Sequence, residues 1–295
     1  MLPRIYICIP VHNRIAYTLK CIESIKRQHY PAYQIIICDD GSTDGTSRIV
    51  PETHPEVTIV PGDGNLWWTG GTNKCVAAAL KSAGDNDFIF TLNNDTEILP
   101  DTLENLVKLS LDNGRAILGA VNVYYEHPDQ MEPSAFKRTH KYLFKAWLNK
   151  VNDWGEPFTR QDKIVAVDAL AGKGALIPVE VFQKIGLYDF ENLPHYHADT
   201  EFTVRAKKAG FQIFLSYNAV VLSHQKLSGT GTANTAPNLK EFWQSFFTIR
   251  SAHYLKVLKT YCKILYGKYH YFYLGYFIFR ITASFGRRYL LHKMG

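Results

Sequence analysis

The sequence of 295 residues has few cysteines, and the five that are present form no recognisable pattern. Their number is odd, and no two of them stand in the C-x-x-C spacing of zinc sites and redox motifs. Cys8 and Cys38 lie inside apolar runs, where a thiol is buried and inert. The sequence therefore favours free, buried thiols in a reduced compartment over a disulfide framework or a zinc site.

The chain also lacks a long uninterrupted hydrophobic run. The longest one near the C-terminus, around residues 269–279, is shorter than the roughly 20 residues that cross a bilayer and is ended by Arg280. A strand-like run at residues 4–10 opens the chain, without the basic and apolar regions of a signal peptide. We therefore expect a cytoplasmic protein. Its 46% hydrophobic and 20% charged residues are typical of a folded globular chain.

Acidic residues are absent from residues 254–295, which contain eight Lys and Arg residues. The rest of the chain carries 25 basic against 27 acidic residues, so the basicity belongs to this segment. That distribution argues against a nucleic-acid-binding core. Tyr, Phe, Lys and Arg together are typical of interfacial helices, and we expect contact with the anionic inner face of the membrane. Packing on the chain's own domain, or homo-oligomerisation, is the alternative.

Short apolar runs alternate with amphipathic segments in the first part of the chain. Strands are predicted at residues 5–9, 34–38, 57–60 and 88–92, and helices at residues 17–28, 71–82 and 100–113. This alternation predicts an α/β fold with a mostly parallel, doubly wound sheet flanked by helices. Residues 120–165 are less regular, and we interpret them as an excursion from the sheet.

Regular patterns return in the second half of the chain. After an apolar run at residues 165–177, helices are predicted from Pro178 to before Gly186 and from Asp199 to Ala209, followed by an apolar run at residues 213–222. Residues 228–237 are small and polar, which predicts a mobile loop. The chain then becomes helical and aromatic. We expect one α/β domain over residues 1–238 and a helical region over residues 239–295.

Polar residues follow the predicted strands. These are His12 and Asn13, next to Pro10, after the first strand, Asp39 and Asp40 after the second, Asn93, Asn94 and Asp95 after the fourth, and His224 after the last apolar run. Ligands of open α/β sheets bind beyond the carboxyl ends of the strands. We therefore expect these side chains to converge on one edge of the sheet.

Each of these polar residues has a functional and a structural interpretation. Asp39 can accept hydrogen bonds from a nucleoside, or it can belong to a turn. Asp95 can hold a Mg²⁺ or Mn²⁺ ion that binds a diphosphate, or it can cap a helix. His224 can complete such a metal site, or it can be a structural histidine.

Asp199 opens a predicted helix within the segment His197–Glu201. A carboxylate at this place can act as the general base that removes a proton from a sugar hydroxyl. The same position favours a helix-capping aspartate, and capping and catalysis are compatible at a helix N-terminus.

Two adjacent tryptophans stand beside two glycines in the segment Asn65–Asn73, which leads into a predicted helix. Trp67 and Trp68 can form a floor on which a sugar ring stacks, and Gly70 and Gly71 allow a close backbone approach. Core aromatic residues next to a tight turn are the alternative.

Taken together, these motifs resemble family 2 glycosyltransferases over roughly residues 4–250. The matching stretches are Pro10–Arg14, Cys38–Thr46, Asn65 with Gly70, Gly71 and Asn73, Leu92–Asp95, and Asp199 with Arg205 and Gly210. The resemblance is to the bacterial rhamnosyltransferase and galactofuranosyltransferase branch in particular.

The resemblance implies the GT-A fold and inverting transfer of a sugar from a UDP- or dTDP-sugar to a hydroxyl of a glycan or polyprenyl-linked acceptor in surface polysaccharide synthesis. It implies that Asp199 is the catalytic base and that Asp95 and His224 bind Mg²⁺ or Mn²⁺. Residues expected to line the donor pocket are Pro10, His12, Arg14, Asp39, Asp40, Asn65, Trp68, Gly71, Asn73 and Asn94. Gly172 and Gly174 resemble the small residues that let donor and acceptor approach.

Three residues depart from the family pattern. Asn93 stands where a first aspartate is usual, Ala198 replaces a glutamate, and Trp67 occupies the third position of an Asn-x-Gly pattern. These departures leave open a non-catalytic nucleotide-sugar-binding scaffold, because binding geometry can outlast chemistry. A nucleotidyltransferase is less favoured, because no Gly-rich phosphate loop follows the first strand.

Overall fold

The computed structural model describes residues 2–141, 144–153, 155–224 and 238–294. Its strands are β1 (Ile5–Val11), β2 (Tyr33–Asp39), β3 (Thr58–Pro61), β4 (Phe88–Thr91), β5 (Thr96–Ile98), β6 (Ile117–Tyr124), β7 (Gln130–Glu132), β8 (Ala135–Lys141), β9 (Phe144–Lys150), β10 (Glu156–Pro157), β11 (Ile164–Ala166), β12 (Ala169–Leu170), β13 (Ala175–Pro178) and β14 (Ile213–Ser223). Its helices are α1 (Ile15–Lys26), α2 (Thr46–Thr53), α3 (Trp67–Ala79), α4 (Thr102–Asp112), α5 (Val179–Ile185), α6 (Ala198–Lys208), α7 (Leu239–Ser245), α8 (Leu255–Tyr266) and α9 (His270–Met294).

The main sheet has the strand order β3-β2-β1-β4-β13-β6-β7-β10. Strands β3, β2, β1 and β4 are parallel to one another. Strand β13 lies antiparallel between β4 and β6, and β14 pairs in parallel with β6 on its other edge. The predicted α/β class with a mostly parallel central sheet is therefore confirmed.

Strand β1 shows why the sheet is covered on both faces. Ile5, Ile7 and Ile9 pack in one core cluster, whereas Tyr6 and Cys8 pack in the other. Successive side chains of a strand point to opposite faces, so β1 has apolar residues on both. Full burial of each of these isoleucines contributes about 1.5–3 kcal/mol. Both faces of the sheet must therefore be covered by helices or by other chain segments.

The described cysteines are all free and buried, as predicted. Burial raises the pKa of the Cys38 and Cys262 thiols to about 12, so both remain protonated at neutral pH. Buried thiols of this kind are inert.

Two of the predicted boundaries are wrong. Residues 120–165 are not an excursion throughout, because β6 is a fully buried central strand and β7 to β11 follow it. Polar Asn122 interrupts the apolar pattern of β6, and its buried environment comes from strands distant in sequence. Helix α3 begins at Trp67 and not at Gly71, so both tryptophans belong to the helix. Helix α2 and the short strand β5 were not predicted at all.

The last helices pack both on the sheet domain and on each other. Tyr261 and Leu265 of α8 form a small core with Ala169 and with Val204 of α6. The rings of Phe242 in α7 and Phe285 in α9 stack with centroids 4.1 Å apart. The helical C-terminus is as predicted.

The predicted loop at residues 228–237 lies outside the described residues. Within the described ranges, the helices all fall short of the length or the apolar character that crossing a membrane requires.

Candidate active site

The structure brings the ends of β1 and β2 together through direct hydrogen bonds. The Nδ1 atom of His12 lies 2.7 Å from the carbonyl oxygen of Asp40. The backbone N–H of Asn13 donates to Oγ of Ser42 at 2.7 Å, and Oδ1 of Asn13 accepts from the N–H of Thr43 at 2.8 Å. These hydrogen bonds therefore hold the loop after β1 against the loop after β2.

The ends of β4 and β14 join the same place at Asp95. Nη1 of Arg14 lies 3.1 Å from Oδ2 of Asp95, and the backbone N–H of His224 donates to the backbone oxygen of Asp95 at 3.1 Å. Polar residues after four strands thus meet at one edge of the sheet.

The chain around Arg14 adopts an uncommon backbone conformation. Asn13 and Arg14 have φ values of 61° and 66°, in the left-handed region that non-glycine residues seldom occupy. Each such residue costs roughly 1–2 kcal/mol unless its surroundings hold it. The bonds to Ser42 and Thr43 hold it here, and the Arg14 guanidinium consequently reaches Asp95.

Asp40 holds the start of helix α3. Its Oδ1 accepts from the N–H of Gly64 at 2.8 Å, and its Oδ2 accepts from the N–H groups of Leu66 and Trp67 at 2.9 and 3.1 Å. A buried carboxylate with backbone donors on both oxygens is a positioning group. Its contact with a nucleotide stays a prediction.

Asp39 has fewer backbone partners. Its Oδ1 accepts from the N–H of Ser42 at 3.0 Å, and the hydroxyl of Ser47 donates to Oδ2. A buried carboxylate at a strand end, oriented by two serines, can present its remaining lone pairs to a nucleoside.

The other predicted donor-pocket residues shape the surroundings of helix α3. A Cβ on Gly71 would lie 2.9 Å from Cβ of Pro10, so this glycine permits the helix to pack directly on β1. The side chain of Asn73 bonds both the N–H and the carbonyl of Tyr188, at 3.0 and 2.8 Å. Asn65 is exposed.

Asn94 connects two of the loops. Its Nδ2 donates to Oγ1 of Thr18 at 3.1 Å and to the carbonyl of Asn13 at 3.3 Å. Because the amide is buried, it contributes to the position of the neighbouring Asp95 and of the loop before α1.

Trp68 links the β4 end to the predicted base. Its Nε1–H donates to Oδ1 of Asn93 at 2.9 Å, which gives the amide that departs from the family motif a clear structural role. A Cβ on Gly172 would come within 2.5 Å of the Trp68 ring and 3.0 Å of Cβ of Asp199. The indole therefore lies against the same glycine as Asp199.

Asp199 stands in the first turn of α6 and is half-buried. Its Oδ2 accepts from the N–H of Gly172 at 2.7 Å, and its Oδ1 accepts from the N–H of Thr200 at 2.7 Å. These bonds fix the carboxylate while leaving lone pairs open for a further donor. The contacts from Asn93 through Trp68 and Gly172 place Asp199 and Asp95 at the same region of the molecule.

Two half-buried histidines before α6 each have a buried nitrogen atom without a partner in the described ranges. Nδ1 of His195 and Nε2 of His197 have no hydrogen-bond partner among the residues described. Burial lowers the pKa of His195 to about 4. Burial also lowers the pKa of His197, and the negative charge of Asp199 partly opposes this change. Both imidazoles are therefore neutral at physiological pH.

A buried ion pair next to Gly172 was missed by sequence reasoning. Nζ of Lys173 contacts the carboxylate of Glu132, which is 2% exposed, and donates to Oγ of Ser223 at 2.9 Å. The side-chain amide of Asn122, opposite Glu132 in the register of β6 and β7, has no partner within the described part of the chain. Buried polar atoms of this kind are places for ordered water. The only sequence signal was a lysine between two glycines.

The chain matches the model of glycosyl transferase family 2 over residues 6–183. It belongs to glycosyltransferase family 2. The glycosyltransferase is 27% identical over 215 residues to the N-acetylglucosaminyl-diphospho-decaprenol L-rhamnosyltransferase of Mycobacterium tuberculosis. The aligned region covers 67% of this chain and 68% of the rhamnosyltransferase.

Two solved structures share the fold of this glycosyltransferase. S. aureus TarS aligns with a TM-score of 0.57 and 14% sequence identity, and the alignment covers 97% of this chain and 43% of the TarS chain. GalNAc-T7, solved with UDP, GalNAc and Mn²⁺, aligns with a TM-score of 0.61 and 13% sequence identity, and the alignment covers 91% of this chain and 49% of the GalNAc-T7 chain. The chain thus spans less than half of either solved chain. The likeness confirms the predicted GT-A fold.

The glycosyltransferase has no preformed metal cage in the ranges that the structure describes, since no three His, Cys, Asp or Glu side chains are grouped to hold an ion. Asp95 offers one carboxylate beside Arg14, and Nε2 of His224 lies 3.1 Å from Oε1 of Glu97, which the sequence did not indicate as its partner. Mg²⁺ and Mn²⁺ commonly take one or two protein oxygens and complete their shell with phosphates and water. The single carboxylate of Asp95 therefore fits a cation that arrives with a diphosphate.

Proposed function

We propose that this glycosyltransferase moves a sugar, with inversion, from a UDP- or dTDP-sugar to a hydroxyl of a polyprenyl-linked glycan. The observation that carries the proposal is the chain of contacts that connects the region of Asp95 to Asp199 through Asn93, Trp68 and Gly172. The rhamnosyltransferase relative, whose name contains a diphospho-decaprenol acceptor, supports the acceptor class. The protein acts at the cytoplasmic face of the membrane, in surface polysaccharide synthesis.

The catalytic domain in this proposal spans residues 1–238, and a C-terminal helical region spans residues 239–295. Donor and acceptor meet at the strand-end edge of the sheet in the catalytic domain. Holding both reactants in one geometry lowers the activation barrier, by about 7 kcal/mol or more in well-oriented systems.

Asp199 is the general base. The N–H groups of Gly172 and Thr200 orient its carboxylate, whose remaining lone pairs accept the proton of the acceptor hydroxyl as the new bond forms. Attack opposite the departing diphosphate inverts the configuration at the anomeric carbon. The indole of Trp68 and the absence of a side chain at Gly172 shape the space beside this carboxylate.

Asp95, together with His224, would hold a Mg²⁺ or Mn²⁺ ion. When bound, such an ion neutralises charge on the leaving diphosphate. Arg14, 3.1 Å from Asp95, presents a planar guanidinium that suits phosphate oxygens. Asp39 binds the nucleoside, and His12 and Pro10 lie beside it at the end of β1.

Thermal unfolding in the presence of UDP-, dTDP- and GDP-sugars, with and without Mn²⁺ or Mg²⁺, tests the donor. One nucleotide class should stabilise the protein in a cation-dependent way, by about 2.7 kcal/mol at a hundredfold excess over Kd. The stabilising donor should then be hydrolysed slowly, and the anomeric configuration of a transfer product can be determined by NMR. Stabilisation without hydrolysis or transfer would favour the non-catalytic scaffold, and a retained configuration would contradict inversion.

A further inference from the structure

Exposed apolar side chains are concentrated in the C-terminal helical region. Those that are large and exposed there are Leu239, Trp243, Phe247, Tyr269, Tyr271, Phe272, Phe279, Leu290 and Leu291. Five such residues are described in the much longer catalytic domain, against nine here. A concentration of exposed apolar side chains of this kind marks an interaction surface.

Helix α9 carries apolar residues on two opposite faces. Tyr273 and Phe285 are buried, and Phe285 stacks on Phe242 of α7. Phe272, Phe279 and Leu290 are 53%, 68% and 60% exposed. With 100° per residue, these three fall on one line along the helix, opposite the buried face. We call Phe272, Phe279 and Leu290 the outer stripe.

Basic side chains flank the outer stripe. Arg280 and Arg287 fall on one side of it by the helical repeat, Lys293 falls on the other, and all three are exposed. Residues 254–295 contain no acidic residue that would neutralise them. An apolar stripe between basic flanks is the pattern of a helix that lies in the plane of a bilayer surface.

We propose that the outer stripe of α9 docks the protein on an anionic lipid bilayer, with Phe272, Phe279 and Leu290 in the acyl boundary and the basic flanks on lipid headgroups. Charge complementarity selects this occupant. A second copy of the chain would bring basic flanks against basic flanks, which opposes self-association through the same face. The proposal rests on the proposed function in one respect, that a polyprenyl-linked acceptor is found at such a surface.

Other parts of the C-terminal helical region contact the surroundings of Asp199. The ring of Tyr261 in α8 stacks on His197 with centroids 4.3 Å apart. The guanidinium of Arg250 lies 6.0 Å from the centre of the Trp67 ring, and the hydroxyl of Tyr196 donates to the carbonyl of Arg250 at 3.4 Å. Helix α8 packs on both α6 and α9, so the segment that precedes the base is linked through α8 to the helix that we propose to dock.

Vesicle flotation of the full chain tests the docking surface. The vesicles are phosphatidylcholine alone, or phosphatidylcholine with phosphatidylglycerol. We expect binding to the anionic vesicles that weakens with added salt, because exposed charges are screened. The variant Phe272→Gln, Phe279→Gln, Leu290→Gln should lower the binding constant by at least about tenfold, since three apolar side chains no longer enter the bilayer.

A matched control replaces three exposed leucines of the catalytic domain, as Leu2→Gln, Leu111→Gln and Leu187→Gln, and should bind vesicles like the wild type. Circular dichroism and thermal unfolding check that both variants fold. The variant Arg280→Gln, Arg287→Gln should reduce both the affinity for anionic vesicles and its salt dependence.

Unchanged vesicle binding by the folded outer-stripe variant would overturn the proposal. So would a wild-type dimer, measured by light scattering, that this variant abolishes while neither protein binds vesicles. Hydrolysis of a soluble nucleotide sugar separates this test from the proposed function, because the outer-stripe variant should retain it. If no donor is hydrolysed but stripe-dependent vesicle binding persists, the docking surface stands and the proposed reaction fails.

Discussion

The strand-end edge of the sheet and the outer face of α9 are built in opposite ways. At the strand ends, polar side chains such as Asp40, Asn73 and Asp199 are held by backbone N–H and C=O groups of other segments. On the outer face of α9, Phe279 and its neighbours face away from the rest of the molecule. Substitutions at the first surface should therefore disturb catalysis and stability, whereas those at the second should change only what the protein binds.

The largest expected effect is that of Asp199→Asn. The amide cannot accept the acceptor proton, so turnover should fall by about 10²–10⁴-fold, the usual contribution of a general base. The dissociation constant of the nucleotide sugar should stay close to that of the wild type, as measured by titration calorimetry. Asp112→Asn, an exposed change on α4, is the control. Wild-type turnover in Asp199→Asn would show that another group is the base.

The next effect concerns the buried pair of Lys173 and Glu132. Lys173→Met leaves the Glu132 carboxylate buried without its cation, which should lower the free energy of unfolding by about 3–5 kcal/mol. The double variant Lys173→Met, Glu132→Gln should recover much of that loss, because no buried charge remains. Urea denaturation measures both.

The exposed pair of Arg48 and Glu52, 3.1 Å apart, is the matched control. Arg48→Met should change the free energy of unfolding by less than about 1 kcal/mol. Equal effects of Lys173→Met and Arg48→Met would mean that burial of the first pair has no energetic consequence.

A smaller effect should appear on acidification. Burial lowers the pKa of His195 to about 4. Between about pH 6.5 and pH 4, His195 is therefore protonated in the unfolded chain and neutral in the folded chain. As the pH is lowered from 7 to 5, this difference at His195 should lower the free energy of unfolding by at most about 2 kcal/mol. His195→Gln should flatten this dependence in urea titrations, and exposed His127→Gln should leave it unchanged.

The smallest effect is expected on the outer face of α9. Phe279→Ser should change the free energy of unfolding by less than about 0.5 kcal/mol, because the side chain is exposed. Phe285→Ser on the opposite face removes the ring stacked on Phe242 and should cost about 3–5 kcal/mol. Similar losses for both would mean that the outer stripe is covered by protein, which would remove the contrast between the two surfaces.

Local patterns predicted much of the fold and part of the candidate site. The apolar runs of β1, β2 and β4 and the polar residues after them are adjacent in sequence, so their positions follow from the strand pattern. The basic segment at residues 254–295 is likewise a property of composition alone. The placement of Asp95 next to Arg14 agrees with the general rule for strand ends in α/β sheets.

Non-local pairing could not be predicted from one sequence. Lys173 and Glu132 are 41 residues apart, and His224 and Glu97 are 127 residues apart. Both pairs depend on which strands lie next to β6 and β14 and in what register. The start of α3 at Trp67 likewise depends on Asp40, a carboxylate from another strand end.

Gly172 has a practical consequence for engineering. With the Trp68 ring on one side and Asp199 on the other, even a methyl group at this position would force the indole or the carboxylate to move. A library that randomises the site to accept new sugars should therefore keep Gly172 fixed. Trp67, which lies against His195 with ring centroids 5.4 Å apart, is the better position to diversify.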